Sequence, residues 1–85
     1  LYPLKSRLAS YLLSISHDEN KNKLSEDIMT SNLTDIAEFL GTTYRHLNRV
    51  LKELEEKNII RREPKHIKIL NMEQLISISN ALSYE

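Results

Sequence analysis

A mainly α-helical domain with a small β unit is the fold class this sequence predicts. Three features predict it: apolar residues recurring at helical spacing in four stretches, one glycine separating two of those stretches, and a β-rich pair of segments late in the chain. With 85 residues the chain holds one small domain and one modest core. A composition 40% apolar and 28% charged is that of a folded soluble domain rather than a disordered one. Its longest aliphatic runs, such as Leu12-Leu13 and Ile59-Ile60, fall far short of the ~20 residues that span a bilayer. Without cysteine there is no disulfide frame, thiolate zinc site or cysteine nucleophile in this segment. The sequence starts at Leu1 with no signal or transit peptide, which points to a cytoplasmic domain cut from a longer protein.

Each element follows from its own signals. Leu4, Leu8, Tyr11, Leu12 and Ile15 line one side of a helix over residues 3–16, with Pro3 in its tolerated first turn. Residues 17–31 are charged and rich in Asn and Lys, and read as a solvated loop with a short strand at 28–31. Asn32 is a good N-cap for the pattern Leu33, Ile36, Ala37, Leu40. Gly41, the one glycine of the chain, suits the left-handed end of that helix, and Thr42 or Thr43 can cap the next at once. Leu47, Val50, Leu51 and Leu54 form the core side of this second helix, so residues 32–57 read as a helix–turn–helix. Residues 59–63 and 66–70 are β-rich around Glu63-Pro64-Lys65 and predict a hairpin. Asn71 and Gln74 stand in capping-box spacing before a final helix over 72–83, with Met72, Leu75, Ile76, Ser79 and Leu82 on one side. The order is that of a winged helix-turn-helix: a three-helix core, a β-hairpin wing and an extra C-terminal helix.

The charge is formally zero, 12 Lys+Arg against 12 Asp+Glu, which at first argues against nucleic acid. Its distribution reverses that argument. Residues 41–52 carry Arg45, Arg49 and Lys52 with no acid, and residues 59–70 carry Arg61, Arg62, Lys65 and Lys68 against Glu63. Acid dominates elsewhere, above all in residues 17–40. On a helical wheel Arg45, Asn48, Arg49 and Lys52 lie opposite the leucine stripe, flanked by Tyr44 and His46. A major groove admits such a helix: Arg pairs with guanine, Asn with adenine, and Lys with phosphate. The bland alternative is a solvated face whose cations pair with Glu53 and Glu56.

These residues carry a family likeness. Leu33 to Leu70, which holds the run I-A-E-F-L-G-T-T-Y-R-H-L-N-R-V-L-K-E-L-E-E-K-N-I-I, resembles the C-terminal winged helix of the Crp/Fnr transcription regulators. The segment K-S-R-L-A-S-Y-L-L at residues 5–13 is similar to the helix that opens that domain. The resemblance implies double-stranded DNA as partner, a homodimer in the full-length protein, RNA polymerase as a further candidate partner, and no membrane. It implies base-facing positions at Tyr44, Arg45 and Arg49, to which the wheel adds Asn48. Thr43, His46 and Lys52 stand at positions near backbone phosphates, and Arg62 and Lys65 of the basic wing are assigned to the backbone with them. An upstream sensory barrel and dimerisation helix are implied too, and 85 residues cannot hold both. Departures matter. Many members carry Arg-Glu at the positions of Tyr44-Arg45, where the Glu reads cytosine, so their usual operator does not transfer. Asn48 replaces a small residue, and Pro64 stands where Gly is frequent.

Other chemistry fails on spacing. His17, His46 and His66 lack any zinc pattern. Asp18, Asn20 and Asn22 begin like a calcium loop, but Lys23 and Met29 break it. No phosphate loop or catalytic constellation is present, so neither an enzyme nor a cofactor is expected in this segment. A protein-interaction module without DNA readout, with an apolar patch around Ile76 and Leu82, is the competing function.

Overall fold

The computed structural model describes residues 3–18, 23–24, 27–29 and 32–80. Helix α1 (Leu4–Ser16) is followed by two short strands, β1 (His17–Asp18) and β2 (Lys23–Leu24), and by β3 (Asp27–Met29). Helices α2 (Leu33–Leu40) and α3 (Tyr44–Glu56) form the helix–turn–helix. Strands β4 (Ile60–Glu63) and β5 (His66–Ile69) form the wing, and α4 (Met72–Asn80) closes the described chain.

The helix ends are built from short-range hydrogen bonds. Asn32 caps α2 by accepting from the Thr34 N–H at 2.8 Å. At the other end Gly41 adopts φ 73°, its N–H donates to Glu38 O at 3.0 Å, and the Thr42 N–H donates to Ala37 O at 2.9 Å. This is the Schellman pattern, which returns two orphan carbonyls to hydrogen bonds. Thr43, two residues on, caps α3 by accepting from the His46 N–H at 3.1 Å. Helix α3 ends in the same way without a glycine. Asn58 takes φ 58°, Asn58 N–H donates to Glu55 O at 2.9 Å, and Ile59 N–H donates to Leu54 O at 3.0 Å. Asn tolerates this conformation better than other side chains do.

The core is one cluster. It takes Leu4, Leu8, Ala9 and Leu12 from α1, Ile36 and Ala37 from α2, and Leu47, Val50, Leu51 and Leu54 from α3. Ile59, Ile60, Ile67, Ile69 and Leu75 complete it from the wing and α4. Arg7 ties α1 to the turn: its guanidinium Nη1 donates to the Leu40 carbonyl. A cation there also faces the negative end of α2.

Several expectations need correction. Residues 17–24 are not all loop, because β1 pairs antiparallel with β2, His17 opposite Leu24. The short strand lies at Asp27–Met29, and its partner is β5, with Ile28 opposite Ile67. The wing is therefore the larger part of a three-stranded sheet ordered β3-β5-β4, with Ile60 opposite Ile69 and Glu63 opposite His66. Its turn places Lys65 at φ 65° directly after Pro64, a type II arrangement in which the proline supplies the first central residue. Ile15 is 40% exposed rather than core. Helix α1 packs most extensively against α4, and its buried arc centres on Leu12, which leaves Ile15 at the rim. In α4 only Leu75 is fully buried. Met72 and Ile78 pack against the core while Ile76 stays at its margin, so the spacing runs by threes. The expected end of this helix at 83, and Leu82, lie outside the described residues.

Nothing lies within 4 Å of a Cβ built on Gly41, so Gly41→Ala meets only the backbone cost of a left-handed alanine. That cost, ~1–2 kcal/mol, is partly offset by the less flexible unfolded chain. Urea unfolding should show a net loss of about 1 kcal/mol. A loss above ~3 kcal/mol, the size of a core truncation, would mean the turn packs more tightly than this geometry allows.

Candidate nucleic-acid interface

Helix α3 has two faces. Leu47, Leu51 and Leu54 have no exposed surface and Val50 retains 7%. Tyr44, Arg45, His46, Arg49 and Lys52 are exposed, and Asn48 is half-buried. At 1.5 Å per residue Arg45, Arg49 and Lys52 extend over ~10 Å of one helix side. Among the described residues none of the three has an ion-pair partner, and the bland pairing with Glu53 and Glu56 does not form.

The charges of α3 run against its own dipole. Its first turn has no acid and its last turn no base, while Arg45 and His46 sit at the positive end and Glu53, Glu55 and Glu56 at the negative end. Two of those acids are answered from distant elements. Lys5 of α1 pairs with Glu53. Arg62 of β4 donates through Nε to Glu55 Oε1 at 2.8 Å. The hydrogen bond and the charge of Lys5 hold the Glu53 carboxyl below the usual carboxylate range.

The polar contacts define what each sequence-selected residue is free to do. Thr43 accepts the His46 N–H, which leaves its hydroxyl proton available to donate. The Thr42 hydroxyl lies 3.2 Å from His46 Nδ1 and holds that ring at the start of the helix. Tyr44 is 49% exposed at the first helical position. Lys65 is exposed at the wing tip. Arg62 is folded back onto α3, where, besides Glu55, it donates through Nη1 to Asn48 Oδ1. Arg61 pairs loosely with Glu63 at 3.7 Å.

Sequence reasoning missed four contacts. Arg7 with Leu40, Lys5 with Glu53, and Arg62 with Asn48 and Glu55 join residues from different elements, and no local spacing announces them. It also missed the exposure of Phe39, 75% accessible, whose ring lies 5.4 Å from that of Tyr11. Among the described residues no three His, Asp or Glu side chains gather as a metal site. None of the described helices is long and apolar enough to cross a membrane.

The helix–turn–helix with a basic face on α3 and a β wing is the architecture of a transcription regulator's domain, and sequence comparison agrees. The chain belongs to the Crp-like helix-turn-helix domain family, which matches residues 6–78. Over 71 residues it is 35% identical to the probable transcriptional regulator flp of Lacticaseibacillus casei, a match covering 81% of this chain and 30% of that protein. The fold is similar to that of the catabolite activator protein of Thermus thermophilus, with TM-score 0.73 and 23% identity over 93% of this chain and 35% of the other. It is also similar to a second Thermus thermophilus protein, a transcriptional regulator of the CRP family, with TM-score 0.78 and 19% identity over 94% and 42%. The chain thus spans about a third of the length of these relatives.

Two predictions follow from the α3 charges. Lys5→Met should return the Glu53 carboxyl to the ordinary range in an NMR titration. Because the folded-state value is the lower one, the pair's contribution is present above the unfolded-state pKa and is lost as pH falls through the folded value. In Lys5→Met this acid dependence should disappear. Arg45→Glu should stabilise the fold by ~0.3–1 kcal/mol in low salt, since it sets an acid at the positive helix end, and the gain should shrink as salt is added.

Proposed function

We propose that this domain binds double-stranded DNA with sequence preference, α3 entering the major groove, as the output domain of a Crp-family transcription regulator. One observation carries the proposal. Arg45, in the first turn of α3 where a cation costs stability, and Arg49 and Lys52 further along the same exposed face have no ion-pair partner among the described residues, while Glu53 and Glu55 near the other end are neutralised from other elements. A merely solvated face would have no reason for that arrangement. In this reading Tyr44, Arg45, Asn48 and Arg49 face base edges, Arg45 and Arg49 pairing with guanine. Thr43, His46, Lys52 and Lys65 meet phosphates, whereas Arg62, assigned to the backbone from the sequence, is held against α3. The homodimer of a full-length regulator would then read two half-sites about one helical turn, ~34 Å, apart. With few free cations per domain, a single copy binds non-specific DNA weakly and with a shallow salt slope.

Of the apolar patch expected of an interaction module around Ile76 and Leu82, Ile76 is partly exposed at the edge of the core and Leu82 lies outside the described residues. Fluorescence anisotropy against random duplex in low salt, followed by selection of bound sequences, tests the proposal. Arg45→Ala and Arg49→Ala should each cost ~1–3 kcal/mol on the selected duplex and relax preference at one base pair. Lys52→Ala should weaken all duplexes alike and reduce the salt slope by about one. Unchanged binding by both arginine variants would falsify the assignment of α3 as the reading helix.

A further inference from the structure

Asn48 and Arg62 are joined, and their chemistry allows the bond in one sense only. Arginine has donors and no acceptor, so the amide atom facing Arg62 Nη1 is the Asn48 oxygen and not its nitrogen. The same guanidinium is anchored by Nε to Glu55 Oε1 at 2.8 Å, about two α3 turns beyond Asn48. Arg62 is therefore a brace from the wing to two points of α3, and it decides which way the Asn48 amide is turned. With Oδ1 turned to the wing and one of its two lone pairs taken there, Asn48 offers a partner chiefly its two Nδ2 hydrogens.

Resting on the DNA-binding reading above, we propose that Arg62 is a specificity-positioning residue: it makes Asn48 a donor that selects guanine. Guanine offers O6 and N7 in the major groove and thymine offers O4, all acceptors. Cytosine presents only its N4 donor there. Adenine has one acceptor, N7, beside the N6 donor, and its two-bond pairing with asparagine requires the amide oxygen over N6, whereas that oxygen is turned to Arg62. Guanine alone can take both Nδ2 hydrogens, so Asn48 favours guanine at the base it faces. Arg62 itself spends its charge on Glu55 and acts through Asn48 rather than on a phosphate.

Binding of the full chain to duplexes varied one base pair at a time, over a range of salt, tests this. The variants are Asn48→Ala, which alters a half-exposed helix position, and the charge-balanced pair Glu55→Ala with Arg62→Ala. Asn48→Ala should remove a guanine preference at one base pair, worth roughly three- to tenfold in affinity. The charge-balanced pair should change preference at that same base pair by admitting adenine, with the salt slope unmoved. In the free domain the Asn48 side-chain amide resonances should shift in that pair, a readout that needs no DNA. A salt slope lowered by about one, with every duplex weakened alike, would mark Arg62 as a phosphate contact and overturn the proposal. An adenine preference at the Asn48 position in the unmutated chain would overturn it too, while leaving DNA binding intact. Failure of the unmutated chain to bind any duplex would instead remove the DNA-binding reading, and this inference with it.

Discussion

Burial of the leucine stripe of α3 is the constraint on which the rest of this domain depends. Hiding Leu47, Leu51, Leu54 and most of Val50 is worth ~1.5–3 kcal/mol per side chain, far more than any surface contact here. That sum sets the rotation of α3 about its own axis. Once the stripe is inside, the opposite arc with Arg45, Arg49 and Lys52 has to face outward. The remaining freedom, where the helix begins and how it leaves α2, is removed at the turn by Gly41, Thr43 and the Arg7 contact to Leu40. Core packing and presentation of the basic face are one event.

That presentation has an electrostatic cost, and the fold distributes its remedy. A helix with bases first and acids last opposes its own dipole at both ends. Lys5 and Arg62 offset the acidic end from α1 and the wing, while the basic end has no acidic partner among the described residues. The pairing also makes the wing a structural neighbour of α3 rather than an independent basic arm. Of its cations, Arg62 is taken up by α3 and Arg61 by Glu63, while Lys65 stands exposed at the tip.

Much of this was legible from periodicity and capping. The helix–turn–helix boundaries, Gly41 in the left-handed region, the caps at Asn32, Thr43 and Asn71, and the two wing strands all follow from side-chain chemistry within a few residues. The wheel likewise separated the faces of α3. What escaped was set at long range. His17–Asp18 and Lys23–Leu24 pair as strands although neither dipeptide has strand character, because register comes from the backbone partner and not from propensity. Ile15 and Ile76 carry apolar side chains at reasonable helical spacing. They remain outside the core because the arc a helix buries is chosen by its neighbours, α4 for α1 and α1 for α4. The left-handed Asn58 was hidden for a different reason, since a glycine-free helix end has no obvious marker.

The sequence by itself determined where α2 starts and stops, which side of α3 is apolar, and that a neutral chain holds two basic blocks. Each of these is decided by atoms within one or two helical turns. Only the tertiary structure decided which polar groups are free. Arg62 and Asn48 both read as surface hydrogen-bonding groups in the chain, yet one is bound to the other across 14 positions. Hydrogen bonds are short and directional, so which donors and acceptors remain for a partner depends on distances that exist only once the wing has packed against α3.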